Sequence, residues 1–382
     1  MKRVLIAVRD FFKTADSVLL ALCLISCAYG LVLIYSATLT YETNQYIIIQ
    51  AVSVVLGVGL FVVLSIIDID LIAEHWLIIL IFDVLFIATL FKFGVEGGTG
   101  NKSWLRFGRV GIQPAEVVKV TFVVLYAKQL AWLRDTKNGV GSIGSVLLLA
   151  AHFAVMFGLI LLTSRDLGSA LVYFVIFLAM TFAAGVGLHW FLIGGALIVA
   201  ASPFIWNHLL NGNQRSRILA PYFPEAVDPT GLGVTWHASQ SKLALASGQL
   251  TGQGLTHGTQ SQSSMLPFKH TDFIFAVTGE ELGMIGCIGV IILLVLIIIR
   301  VIYVGIRSNS YMHMLICVGY AAMLTFQTFE NIGMCLGLTP VIGLTLPLFS
   351  YGGSSIVTTF AAMGIVSGIR MRPSDELRRH YS

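Results

Sequence analysis

An all-α polytopic membrane protein of about ten transmembrane helices is what the sequence predicts, and three observations predict it. Only 11% of the 382 residues are charged while 57% are hydrophobic, against roughly a quarter charged in soluble domains. Uncharged apolar runs such as 282–299 recur along the chain, and about 20 such residues suffice for a helix to cross a hydrocarbon core of ~30 Å. No low-complexity segment, fixed-period repeat or soluble linker interrupts them, so 1–382 reads as a single membrane domain. This balance excludes a secreted or cytosolic globular enzyme and a disordered chain alike.

Walking the chain with that ruler gives ten candidate spans, near 17–38, 46–67, 76–92, 116–133, 144–163, 169–187, 189–206, 282–303, 312–335 and 349–369. The basic start of the chain leads into an apolar run without a small-residue cleavage site, so the first span is expected to stay rather than to be removed as a signal peptide. An even count puts both ends on one side. The tails 1–16, with Lys2, Arg3, Arg9 and Lys13, and 370–382, with Arg370, Arg372, Arg378 and Arg379, argue that this side is cytoplasmic. The expected home is then a membrane crossed many times, with both tails on its cytoplasmic side. Arg134, Lys137, Arg300 and Arg307 join the inner set. Lys102, Arg106, Arg109, Arg165, Arg215, Arg217, Lys242 and Lys269 fall outside, nearly all in the external segments 93–115 and 207–270. Such external cations run against the insertion preference; they read as ordinary loop solvation or as a site for an anionic headgroup. The large external loop 207–270, between the seventh and eighth spans, is longer than a connector needs to be.

A net charge of +4 with scattered basic residues gives no reason to expect a nucleic-acid partner. The five cysteines, Cys23, Cys27, Cys287, Cys317 and Cys335, lie in apolar stretches without a CxxC pair and read as small buried hydrophobes.

Ionisable groups at membrane depth are costly and each is a functional candidate. Glu116 and Lys119, three apart, can pair on one helix face. Asp83 stands alone in the third span as a hydrogen-bonded structural carboxyl or a functional one. Asp166 follows Arg165 in a turn, where it would cap the sixth span or face a site. Glu280 and Glu281 precede the eighth span as caps, and Glu330 with Asn331 lies inside the ninth. The segment 266–276 is the most informative. It sets Lys269, His270, Thr271 and Asp272 before apolar Phe273 and Phe275, where an aspartate is poised for a general-base pKa. Gly352 and Gly353 open the tenth span, where they allow close backbone approach, and Ser354 and Ser355 are placed to cap it.

Taken together these blocks resemble the SEDS family (shape, elongation, division and sporulation), which includes RodA, FtsW and SpoVE. The likeness spans nearly the whole chain. Its densest part is 331–355, from Asn331 through Gly337, Pro340, Gly343, Pro347, Ser350 and Tyr351 to Ser355. Trp104 to Lys119, Asp166-Leu-Gly168, Arg217-Ile-Leu219, Gln240-Ser241 and His270 to Ala276 reinforce it. Gln240-Ser241-Lys242 and 258–262 are most similar to the RodA branch. The sequence departs from the family where an acidic residue usually stands and this chain has Phe268, and where an Arg usually stands and it has Ser103, with Lys102 and Arg106 as candidate substitutes for that cation.

The resemblance implies a peptidoglycan glycosyltransferase, a hexosyltransferase that polymerises lipid II (undecaprenyl-diphosphate-linked disaccharide pentapeptide) at the outer membrane face during elongation and shape maintenance. It also implies a class B penicillin-binding protein transpeptidase and other elongation-complex membrane proteins as partners. On that reading Asp272 is the general base. Arg217, Lys119 and Lys269 contact phosphate, Glu116 orients Lys119, and Trp104 packs on sugar or lipid. Asp166, Gln240, Ser241, His270, Thr271, Asn331, Ser350, Gly352, Gly353 and Ser354 complete the substrate site. A divalent cation, Mg2+ or Mn2+, shared by Asp272 and the diphosphate is compatible with the chemistry, although no ligand spacing demands one. Rival readings are a lipid II flippase without chemistry and a silent scaffold.

Overall fold

The computed structural model describes residues 14–41, 43–96, 101–108, 110–136, 139–263 and 265–372. The tail cations up to Lys13 and beyond Arg372, together with Arg109 and Lys137, lie outside the described residues. Each apolar run becomes a helix: α1 (Ser17–Thr38), α2 (Gln45–Ile66), the short α3 (Ile69–Glu74), α4 (Trp76–Ala88) and α5 (Leu90–Phe93). A hairpin of β1 (Leu105–Phe107) and β2 (Val110–Ile112) follows. Then come α6 (Pro114–Arg134), α7 (Ile143–Ser164), α8 (Leu167–Ala183) and α9 (Leu188–Phe204), the last continued by a π-helical turn. The loop after it is itself helical, with α10 (Gly212–Leu219), α11 (Pro224–Val227) and α12 (Trp236–Gly248), before α13 (Ile274–Ile306), α14 (Tyr311–Leu336) and α15 (Gly353–Met371).

Eight of these helices are long and apolar enough to cross a membrane. Apolar α8 is shorter, at 17 residues, and α6 carries Glu116, Lys119, Lys128 and Arg134 along its 21 residues. The five cysteines are free and buried, as small hydrophobes should be.

Polar packing between helices replaces the hydrophobic drive that a bilayer does not supply. A Cβ on Gly364 of α15 would stand 2.7 Å from the Phe61 carbonyl, so α2 and α15 meet backbone to backbone, and Ser65 donates to the Gly364 carbonyl across that seam. Asp83 accepts a 2.8 Å bond from Thr121 between α4 and α6. Fully buried Asp16 caps α1 through the Leu19 N–H and receives Arg300 of α13 at 2.9 Å and Arg370 of α15 at 3.1 Å. Three helix ends are thereby tied at one carboxylate.

At two boundaries the difference from expectation has a local cause. α13 starts at Ile274 rather than 282 because it runs through a break at Gly283, whose φ of 68° and ψ of −167° suit glycine. Glu280 and Glu281 are therefore inside the helix, fully buried, and cap nothing. Their carboxylates instead take the N–H groups of Thr256, Gln260 and Ser261 and the hydroxyls of Ser36, Thr259 and Ser261, pinning the loop after α12. α15 starts at Gly353, not 349, since Leu346 and Ser350 close a turn before it.

Candidate active site

At the end of the bundle where α13 begins, four segments converge: the β1–β2 hairpin, the turn between α7 and α8, the turn 267–273, and the loop 337–352 between α14 and α15. Asp272 stands at their meeting point, only 9% exposed. Its carbonyl accepts the Asn331 side-chain amide at 2.8 Å, and its carboxylate lies 3.6 Å from where a Cβ on Gly343 would sit. Burial raises its carboxyl pKa to about 6; the Thr271 hydrogen bond and Arg217 lower it, and Asp166 raises it. Such a carboxylate is mostly ionised at neutral pH yet basic enough to take a proton.

Asn331 also donates to the Leu344 carbonyl at 2.7 Å. Ser350 donates to the Thr271 carbonyl at 2.6 Å and accepts the Leu346 N–H, while the Tyr351 N–H reaches the His270 carbonyl. Loop 337–352 is therefore laced to the turn that carries Asp272. Gln50 of α2 completes the clamp: its amide donates to the Ser350 carbonyl at 3.0 Å and accepts the Gly352 N–H at 3.1 Å. Sequence reasoning missed Gln50, although a lone amide in an apolar helix was a signal. Gly353 faces Ser53, whose hydroxyl would lie 3.0 Å from a Cβ there. Leu348 and Phe268 hold positive φ angles of 68° and 51°, a strain typical of functional loops.

Asp166 caps α8 as expected, through the Ser169 N–H at 3.0 Å, and does more. Its other oxygen accepts from the Ser169 hydroxyl, Gln113 and Ser103 at 2.8, 3.1 and 3.4 Å. Burial pushes its pKa up, the Ser169 bonds pull it down, and Glu116 adds a rise. Ser103, the departure from the family pattern, is thus a neutral donor to Asp166; Lys102 and Arg106 remain exposed. Ser354 does not cap α15. Its hydroxyl donates to the Gly111 carbonyl and accepts the Gln113 N–H, both at 3.1 Å, so it fastens the hairpin. Trp104 lies against Gly111 of that hairpin, and the Glu116–Lys119 pair is formed at 2.8 Å, buried.

Several candidates sit elsewhere. Lys269 is 2% exposed and spends its ammonium on the Thr40 hydroxyl at 2.8 Å and the Ser261 and Ser263 carbonyls. Burial lowers its pKa, and it has no face left for a phosphate; the expected contact is corrected to a structural one. His270 packs among Tyr41, Tyr46 and Tyr351, where burial, with Lys269 adding to it, takes its pKa down to about 4. Ser241 donates to the Cys335 carbonyl, seating α12 on α14, and Gln240 is buried beside it. Two external cations, Arg217 and Lys242, line one cleft with Thr235, Thr339 and Val341. Lys242 was noted among the external cations but was not expected at the site. Among the described residues no three His, Cys, Asp or Glu side chains converge as a metal site; Asp272 is the carboxylate that would hold a cation shared with a diphosphate, and no step is routed through one.

A multi-helix membrane protein with a buried aspartate, laced loops and a two-cation cleft is the class these features define. A family model described as "Cell cycle protein", covering FtsW, RodA and SpoVE, matches residues 16–374, and the chain belongs to that family. It is 36% identical over 278 residues to the peptidoglycan glycosyltransferase MrdB of Escherichia coli K12, covering 71% of each chain. It is 32% identical over 366 residues to the probable peptidoglycan glycosyltransferase FtsW of Geobacter metallireducens, covering 94% of this chain and 95% of that one. Among solved structures, a chain from a peptidoglycan synthase complex that coordinates polymerization and crosslinking superposes with a TM-score of 0.77 at 28% identity, covering 93% of this chain and 97% of the other. The rod shape determining protein RodA of Thermus thermophilus superposes with a TM-score of 0.68 at 26% identity, covering 93% and 96%.

Proposed function

We propose that this chain is a peptidoglycan glycosyltransferase that polymerises lipid II into glycan strands at the outer face of the bacterial cytoplasmic membrane, serving elongation and shape. Family membership supports the activity, and the environment of Asp272 carries the mechanism: a nearly buried carboxylate, backbone-anchored by Asn331, with Arg217 close enough to act on its charge.

Asp272 takes the proton of the acceptor 4-hydroxyl as that oxygen attacks the anomeric carbon of the donor. The new C–O bond forms as the bond from that carbon to the diphosphate breaks, with inversion, and the diphosphate leaves with the electron pair. Arg217 and Lys242 meet the growing negative charge. Asp166, held by four donated hydrogen bonds, and the Glu116–Lys119 pair shape the donor side, and the lipid tail runs between apolar helices. The termini are cytoplasmic on this reading, and the strands pass to a class B penicillin-binding protein. A peptidoglycan synthase complex among the similar structures supports that partnership.

The test is polymerisation of purified lipid II in detergent, with the transpeptidase co-purified. Wild type should make glycan chains and Asp272→Asn none. Undiminished chains from the variant would remove the base assignment. No chains from wild type would favour a flippase, because detergent leaves no membrane to cross.

A further inference from the structure

The opposite end of the bundle holds a second polar site. Where α13 and α15 end and α14 begins, an open cavity of about 500 Å3 is lined by Arg300, Arg307, Arg370, Arg372, His313 and Asp70. Asp70 is engaged by His313 at 3.2 Å. Asp68 takes Arg372 at 3.4 Å, and Asp16 neutralises Arg300 and Arg370 from behind, out of solvent. Arg307 makes no ion pair among the described residues. Its guanidinium lies 4.6 Å from the centroid of the Tyr303 ring, which also carries the Arg300 guanidinium at 5.1 Å.

Arg300 is met by Asp16, so of the two guanidiniums on that ring Arg307 is the one with no carboxylate among the described residues to offset its charge. The preference of helix C-termini for cations accounts for Arg307 or Arg370 taken singly. With Arg300 and Arg370 met by Asp16 and Arg372 by Asp68, Arg307 is the guanidinium left facing the open space without a carboxylate among the described residues. The cavity lies at the far end of α13 from the Asp272 turn, where the proposed topology puts the headgroups of the other leaflet. A planar, multidentate set of this kind suits phosphate oxygens.

We propose that this cavity binds a phosphate group, that of an anionic phospholipid headgroup in the adjacent leaflet. The probe is phosphatidylglycerol, titrated against phosphatidylcholine onto delipidated full-length protein and read by native mass spectrometry. Wild type should retain phosphatidylglycerol selectively. Arg307→Gln, an exposed position that can change without leaving a partner unpaired, should weaken that binding about tenfold, the worth of one charge-assisted contact. Arg307→Lys should recover part of it, and Lys92→Gln at the far end should change nothing. Competition by inorganic phosphate identifies the phosphate alone as the ligand. Undisturbed lipid binding in excess phosphate assigns recognition to the whole headgroup with its chains. Equal binding by wild type and Arg307→Gln, or equal loss with Lys92→Gln, overturns the proposal.

Discussion

The side-chain amide of Asn331 reaches the main-chain carbonyl of Asp272 at 2.8 Å and that of Leu344 at 2.7 Å. One residue of α14 thus sets the separation of the turn that carries the candidate base from the loop that faces it. Asn331→Ala takes the amide donor from two buried carbonyls, leaving that of Asp272 only the weak Cys335 thiol at 3.8 Å, which costs about 1–3 kcal/mol of stability. Polymerisation should fall further than stability does, roughly 10- to 100-fold in kcat with little change in KM, because the misplacement is felt in the transition state. Steady-state kinetics well below the unfolding temperature separate the two effects; a change confined to KM would argue against positioning.

Asp272 gives opposite signs for rate and stability. With its pKa raised to about 6 from an ordinary 3.8, polymerisation should fall as pH drops through 6, when the base becomes protonated. The folded state holds this proton more tightly than the unfolded one. Its contribution to stability is therefore fully present below pH 3.8 and is lost as pH rises through 6. At neutral pH Asp272→Asn should accordingly melt no lower than wild type while making no glycan. A variant that melts markedly lower would instead indicate a structural role.

Lys269 and the pair Arg217 and Lys242 should separate cleanly. Lys269→Met leaves the Ser261 and Ser263 carbonyls and the Thr40 hydroxyl without their donor and removes the cation near buried Glu280 and Glu281. A loss of about 3 kcal/mol in thermal unfolding is expected. Arg217→Gln with Lys242→Gln should leave the melting temperature within a few degrees yet weaken activity on lipid II at least tenfold. Unaltered activity in that double variant would remove the diphosphate assignment.

Gly283 is irreplaceable on two counts. Its φ is 68°, and a Cβ would come within 2.4 Å of the Gly252 nitrogen and the Leu250 carbonyl. Gly283→Ala should destabilise by more than about 3 kcal/mol. A melting temperature lowered by less than two degrees would mean that the break in α13 is dispensable.

The ten apolar segments were legible because lipid imposes one length and one composition on a helix that crosses it. All ten overlap helices here, of which eight are long and apolar enough to cross a membrane. Glu280 and Glu281 were misread because charge beside an apolar run looks like a helix start; only the loop they hold, 256–262, explains their burial. The hairpin escaped notice because three-residue strands such as Leu105–Phe107 are too short to display alternation. Asp166 was legible as a cap, since the turn and the helix after it are local in sequence. Lys269 was misplaced because proximity to Asp272 in sequence says nothing about which way a side chain turns, and Gln50 acts 300 residues away from the backbone groups it clamps.

After its break at Gly283, α13 continues from 284 to 306, about 35 Å at the rise of an α-helix, with the Asp272 turn before the break and the arginine cavity at the far end. A hydrocarbon core is ~30 Å thick. On the proposed reading the helix is a gauge that sets the height of the Asp272 turn above the far leaflet. Bilayer thickness is then expected to be a variable of the proposed reaction: a thinner membrane would lift the cleft away from the headgroup plane, and a thicker one would sink it.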